Sequence, residues 1–364
     1  MVNIILITDT WDPQINGVVT TYKNILKHCP PGYHIDIIDP YQASKASSYT
    51  NIERKSLKVI TQDDTLRLSE QQKIQMYSLS FSMGLPIRVT FNQMFNLLDE
   101  KTYFYESKGQ KVYYHLANEG LCNLQAKKIL DSCGKTYTSS FHTKFPEFWF
   151  ENYNTPIDST QWYFDWFHQK SKKVFSSSYS SSKENNSWNS VPIEVGIDED
   201  FSFYDKPKTD IKTIMFAGRV SKEKNIDDFC EIDLPNVKKV VVGDGKDLPR
   251  LKSKYPEINF LGFKTGLDLV RVYQNADVSV FTSKVDTYGM VILEAMSCGT
   301  PVAAYDVVGA RDQIQNGING YIDNDLQNAV MRCFDIPRKL VYESVSKKTW
   351  NDAALNFCKI VTEP

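Results

Sequence analysis

A chain of 364 residues is too long for one ordinary core and suits two domains. Its 41% hydrophobic and 24% charged residues are those of a soluble globular protein, and a formal charge of −2 without a long basic run argues against an electrostatic nucleic-acid binder. Seven cysteines are scattered without a CxxC pair, which fits a reducing compartment better than a disulfide scaffold or a zinc site.

The first apolar run, Ile4–Ile7, lacks a basic flank and meets Asp9 at once, so it does not read as a signal segment. No stretch reaches the ~18 apolar residues of a membrane span. A cytoplasmic location is expected, with peripheral membrane contact left open. Further strand-like runs follow at His34–Ile38, Leu57–Ile60, Val112–His115, Thr136–Phe141 and Lys173–Ser176. Helical patterns lie between them near 18–28, 86–99, 119–132 and 159–170. The plan then repeats, with runs at Lys212–Phe216, Val237–Val242, Ile258–Leu261, Val278–Phe281 and Val302–Ala304. Its helices are expected near 247–254, 265–274, 289–298 and 325–334, and a last polar helix over about 338–360 carries Trp350, Ala353, Leu355 and Phe357 as anchors. Residues 41–110 are the least legible part.

Short apolar runs alternating with crossover helices predict an α/β chain with two parallel, doubly wound, Rossmann-like domains. The expected division is 1–190, 191–337 and a closing helix in 338–364 that packs back toward the first domain. Ligands of such sheets bind at the carboxyl ends of the strands, which places the site in a central cleft between the two domains.

The most informative stretch is Asp286-Thr-Tyr-Gly-Met-Val-Ile-Leu-Glu294, at the end of a strand and the start of a helix. On its own helix face Glu294 has Met290, Val291, Ser297 and Cys298 as neighbours, none of them charged. Such a carboxylate needs a partner to offset its desolvation, and a ligand hydroxyl would serve. The helix N-terminus beside it is a ready anion site. Arg219 and Lys224 follow the first strand of the second half and form a cationic pair suited to a diphosphate. Gly17 opens the first helix, where backbone can approach a phosphate, although Asn-Gly is by itself an ordinary turn signal. His115 and His142 both stand near strand ends that point toward the cleft. Val242-Gly-Asp-Gly245 reads as architecture, and Asp198-Glu-Asp200, close to the domain boundary, as a chance DxD. No His/Cys/Asp cluster has metal-ligand spacing, so no metal is expected.

In order, Gly-Arg219 with Glu-Lys224, Val-Gly-Asp-Gly245, Phe260-Leu-Gly-Phe263, Asn275-Ala-Asp-Val and the 286–302 segment resemble retaining glycosyltransferases of family 4 with the GT-B fold. His115-Leu-Ala-Asn-Glu-Gly and Ser-Phe-His142-Thr-Lys-Phe-Pro-Glu are similar to the sulfoquinovosyl- and mannosyl-transferase subgroup. The resemblance implies a hexosyltransferase that needs no cofactor and takes a GDP- or UDP-linked sugar as donor substrate. Arg219 and Lys224 would neutralise the diphosphate, the backbone of Gly289, Met290 and Val291 would cradle it, and Gly17 would approach from the other domain. Glu294 would hold the ribose and Asp286 the sugar hydroxyls, with Tyr288 in the same donor loop. His142 would lie beside the sugar, and His115, Glu119 and Lys144 are acceptor-side candidates.

One departure stands out. The family's usual Glu-x7-Glu pair begins here with Asp286, and the shorter side chain is expected to bear on sugar preference. The resemblance leaves the nucleotide open between GDP-mannose and a UDP-sugar, and the acceptor between a glycan and a lipid. Within enzymes, a phosphorylase or a sugar-nucleotide epimerase of the same fold is the lesser alternative. A reading of another class is a catalytically silent module that binds a glycan or a nucleotide.

Overall fold

A computed structural model describes residues 1–12, 14, 16–46, 56–57, 89–142, 158–184 and 188–363, the side chains of 158–160 and 184 excepted. Its described residues form two six-stranded sheets, every pairing in them parallel. The first is built from β1 (Val2–Ile7), β2 (Tyr33–Ile38), β3 (Lys111–Leu116), β4 (Thr138–Phe141), β5 (Val174–Ser176) and β6 (Ser190–Pro192), in the order β2-β1-β3-β4-β5-β6. The second holds β7 (Lys212–Ala217), β8 (Val237–Val242), β9 (Asn259–Gly262), β10 (Val278–Phe281), β11 (Val302–Ala304) and β12 (Gly320–Ile322), in the order β12-β11-β10-β7-β8-β9.

Strand β1 shows why a continuous apolar run belongs at the centre of such a sheet. Alternate side chains leave on opposite faces. Ile4 and Leu6 join a core with Tyr22, Phe175 and Phe357, while Ile5 and Ile7 join another with Leu98, Ile129 and Phe164. All four are fully buried. Removing any one to Ala would cost about 2–5 kcal/mol through lost burial and the cavity left.

Each sheet has one place where the winding reverses, and there the loops at the carboxyl ends part to leave a crevice. In the first sheet it lies between β1 and β3, in the second between β7 and β10. The loops after β1 and β4 carry Gly17 and His142, and those after β7 and β10 carry Arg219, Lys224 and Asp286.

Several local features differ from the sequence expectation. The expected helix over 338–360 is two helices, Arg338–Val345 and Trp350–Thr362. Thr349 breaks it: its hydroxyl accepts the Asp352 N–H as a cap, and its backbone bridges to Ile197. The second of these helices packs on the helix Gly17–Lys27 and on β1 and β3, so the chain returns to the first sheet at its far end. The expected helix near 86–99 is seen as Phe91–Glu106, entered through a capping box of Thr90 and Gln93. Of the expected strand Leu57–Ile60, residues 58–60 lie outside the described residues, as does Lys144. No described helix is long and apolar enough to cross a membrane.

Candidate functional site

The helix Met290–Ser297 begins at Gly289, which has φ +78° and no side-chain cap. A Cβ there would stand 2.9 Å from the Phe281 ring and 3.1 Å from Ile292 Cδ1, so both the conformation and the space call for glycine. One turn on, Glu294 accepts a 2.8 Å hydrogen bond from Tyr273 Oη. Burial pushes the Glu294 carboxyl up to about 7; the Tyr273 bond partly opposes this and the charge of Asp198 adds to it. Tyr273 is fully buried on the helix Gly266–Asn275 and orients the carboxylate from below.

The Arg219–Asn225 loop reaches the same crevice. Lys224 Nζ lies 2.5 and 2.7 Å from the two Asp286 carboxylate oxygens. Arg219 is more open and sits 3.5 Å from Glu223, which is in turn held by Ser221 Oγ. Two features shape the loop: Asn225 adopts φ +47°, and Thr282 Oγ1 donates to the Lys224 carbonyl at 2.5 Å. The Val242-Gly-Asp-Gly245 turn supports it from behind. A Cβ on Gly243 would lie 1.8 Å from the Gly218 carbonyl oxygen, so the two turns are pressed backbone to backbone.

Across the cleft, the His142 carbonyl accepts from Thr287 Oγ1 at 2.5 Å, and Ser177 Oγ donates to that Thr287 hydroxyl at 2.7 Å. The first domain therefore touches the Asp286–Gly289 loop itself. The His142 ring meets Tyr22 Oη through Nε2 at 3.2 Å, and burial lowers its basicity to a pKa of about 4. Tyr22 Oη also lies 2.7 Å from His115 Nε2 and 2.8 Å from Ser140 Oγ, while His115 Nδ1 is 2.8 Å from Thr138 Oγ1. His115 is fully enclosed, and burial holds its pKa well below the usual value.

Glu119 faces away from this group. Its carboxylate meets His168 Nε2 at 3.0 Å in a fully buried setting, and burial pushes its pKa well up. Gly17 opens its helix behind the cap Asn16, whose side chain accepts from the Val19 N–H at 3.0 Å.

The structure thus brings Arg219, Lys224, Asp286, Tyr288, Gly289 and Glu294 to one edge of the second sheet, with His142 opposite. His115 lies one shell behind, and Glu119 lies in the core. Sequence reasoning passed over Tyr22, Thr287, Tyr273 and Asp9. Asp9 accepts from the backbone N–H groups of Cys122 and Asn123 at 2.6 and 3.1 Å, which satisfies the first turn of Leu121–Ser132. An acid ending a buried strand was the available signal for it; nothing local marked the others. Asp198 of the DxD accepts from Trp350 Nε1 at 2.8 Å, a structural contact. Among the described residues no group of three or more His, Cys, Asp or Glu is placed to hold a metal ion.

Residues 197–327 match the family of glycosyl transferases group 1. The chain is 38% identical over 100 residues to a GDP-mannose-dependent alpha-mannosyltransferase of Mycobacterium tuberculosis, covering 27% of this chain and 26% of that protein. It is 31% identical over 151 residues to a sulfoquinovosyl transferase of Arabidopsis thaliana, covering 39% and 29%. These matches span less than a third of either relative. Among solved structures, Anabaena HepE in complex with UDP-glucose aligns over 100% of both chains with a TM-score of 0.66 at 14% identity. Sucrose-phosphate synthase from Thermosynechococcus elongatus aligns over 99% of this chain and 98% of that one, with a TM-score of 0.71 at 15% identity. With two facing Rossmann-like sheets the chain has the GT-B fold, and its residues 197–327 carry the similarity to the glycosyl transferases group 1.

Proposed function

We propose that this protein is a retaining hexosyltransferase of family 4. It moves a sugar from GDP-mannose or a UDP-sugar to a hydroxyl of a glycan or lipid acceptor, at a cytoplasmic site and without a metal. The observation that carries this reading is the convergence of Lys224, Asp286, Glu294 and the Gly289 helix start on one crevice, with His142 on the facing wall.

Arg219, Lys224 and the N–H groups of Gly289, Met290 and Val291 stabilise the departing diphosphate, with Gly17 nearby from the first domain. Glu294 binds the ribose hydroxyls, Asp286 the sugar hydroxyls, and Tyr288 belongs to the same donor loop. His142 stands beside the sugar. His115 backs the acceptor side through Tyr22, together with Lys144, whereas Glu119, paired with His168 in the core, takes no part in it. The acceptor hydroxyl attacks on the face the nucleotide leaves, and a donor phosphate oxygen takes its proton. The paired acids of a glycosidase have no part in such a route.

The test is a calorimetric and thermal-shift screen of UDP, GDP, ADP and their sugars, with Glu294→Ala and Arg219→Ala as controls. Selective binding of one nucleotide, lost in both variants and indifferent to a chelator, is the expected result. A folded protein that binds none of them is a silent module instead.

A further inference from the structure

Tyr22 sits at a junction of three polar groups and has a single proton to give. It is fully buried on the helix Gly17–Lys27, with Phe357 packed edge-on against it at 5.9 Å. Its oxygen lies 2.7 Å from His115 Nε2, 2.8 Å from Ser140 Oγ and 3.2 Å from His142 Nε2. A neutral imidazole nitrogen that accepts has one in-plane lone pair. For His115 Nε2 two hydroxyls compete: Tyr22 at 2.7 Å and Ser140 at 3.0 Å. Taking Tyr22, at the shorter contact, as the donor puts the His115 proton on Nδ1, where Thr138 Oγ1 can accept it at 2.8 Å.

The rest follows by counting. Tyr22 has spent its proton on His115 and keeps two lone pairs. The Ser140 hydroxyl fills one. His142 can meet the other only by donating, so its proton is on Nε2. We propose that Tyr22, set by the buried His115, is a positioning residue that fixes His142 as the Nε2–H tautomer and leaves Nδ1 as a bare acceptor. Nδ1 has no partner among the described residues. The His142 carbonyl is gripped independently by Thr287, so the ring is fixed relative to the donor loop. On the function proposed above, which this inference deepens, the ring accepts a hydrogen bond from a hydroxyl of the transferred sugar or the acceptor and donates none.

The experiment is a long-range proton–nitrogen correlation spectrum of the five imidazoles in the free protein, with His142 assigned by loss in His142→Gln. It needs no donor, so its outcome stands even if no sugar nucleotide is ever bound. The wild type and Ser140→Ala are expected to show the His142 proton on Nε2, and Tyr22→Phe to spread it over both nitrogens with circular dichroism unchanged. Where a donor is identified, Tyr22→Phe should lower kcat by about tenfold, the size of one lost hydrogen bond, and leave the donor KM within about twofold. A wild-type proton on Nδ1, or an Nε2–H pattern untouched by Tyr22→Phe, overturns the proposal. Should Tyr22→Phe fail to fold, Ser140→Ala decides alone: without the serine hydroxyl, a Tyr22 that donates to His115 leaves the His142 proton on Nε2, and a Tyr22 that donates to His142 places it on Nδ1.

Discussion

Lys224 and Asp286 hold each other across the mouth of the crevice, with the ammonium 2.5 and 2.7 Å from the two carboxylate oxygens. The two residues proposed for opposite halves of a sugar nucleotide are thus paired in the free protein. A diphosphate would take Lys224 and release Asp286 for a hydroxyl. With side chains 24% and 26% exposed, the pair contributes about 0.2–1 kcal/mol. A charge-assisted bond to phosphate contributes about 1.5–3 kcal/mol, so the exchange runs toward the ligand.

Asp286→Asn should therefore separate two effects. It frees Lys224 and tightens the bare nucleoside diphosphate roughly 1.5- to 5-fold, the range such a pair allows. Turnover of the sugar nucleotide should fall at the same time. Calorimetry beside initial rates reads both; weaker diphosphate binding would mean that the two residues do not compete.

Glu294 predicts a pH dependence of two signs. Its carboxyl titrates at about 7 in the fold, against an ordinary value near 4.5. An acid raised by burial contributes stability that is fully present below the unfolded value, and this stability is lost as pH rises through about 7. A tenfold change in proton affinity is about 1.4 kcal/mol, so Glu294→Gln should be more stable than the wild type by about 1–3 kcal/mol at pH 8 and by little at pH 4.5. Ribose hydroxyls donate best to the ionised form, so donor affinity should rise between pH 6 and 8. Urea titrations and binding isotherms across that range check both, with Glu294→Gln flat in the second.

Gly289→Ala should hurt folding and binding together. A non-glycine residue at φ +78° costs about 1 kcal/mol, and the Phe281 ring 2.9 Å from the new Cβ adds strain. A loss of about 2 kcal/mol, seen as a melting temperature several degrees lower, should accompany weaker nucleotide binding. An unchanged melting curve would show that the turn relaxes freely.

Asp9→Ala tests a support within the first domain. It strips the acceptor from the Cys122 and Asn123 N–H groups and from Asn123 Nδ2. Burial raises the Asp9 carboxyl, yet three donors converge on it. A destabilisation of about 2–3 kcal/mol is expected in chemical denaturation.

The sheets were legible because buried parallel strands leave plain apolar runs such as Val278–Phe281. Pro192, at the edge strand Ser190–Pro192, and the brevity of Gly320–Ile322 hid the last strand of each sheet, since neither has enough residues for a pattern. The Ser-rich helix Tyr179–Glu184 was hidden by poor propensity. At the site, charged residues beside glycines announced themselves: Arg219, Lys224, Asp286 and Glu294 all line one edge. Tyr22 and Tyr273 did not, because a tyrosine on the inner face of a helix reads as core until its hydroxyl partners, His142 and Glu294, are seen in space. That Lys224 and Asp286 pair across 62 positions is likewise a tertiary fact.

The helix Trp350–Thr362 lays Phe357 over His115 and Phe175 of the first sheet and over Tyr22 of the helix Gly17–Lys27. During synthesis the first domain therefore leaves the ribosome with that face bare. About 150 further residues must be made before the cover arrives, an interval on the order of ten seconds. Nascent chains arrested before Trp350 should be cut by protease around Tyr22 and His115 where those carried past Thr362 resist. The half of the molecule made first is thus covered by a segment made well after it.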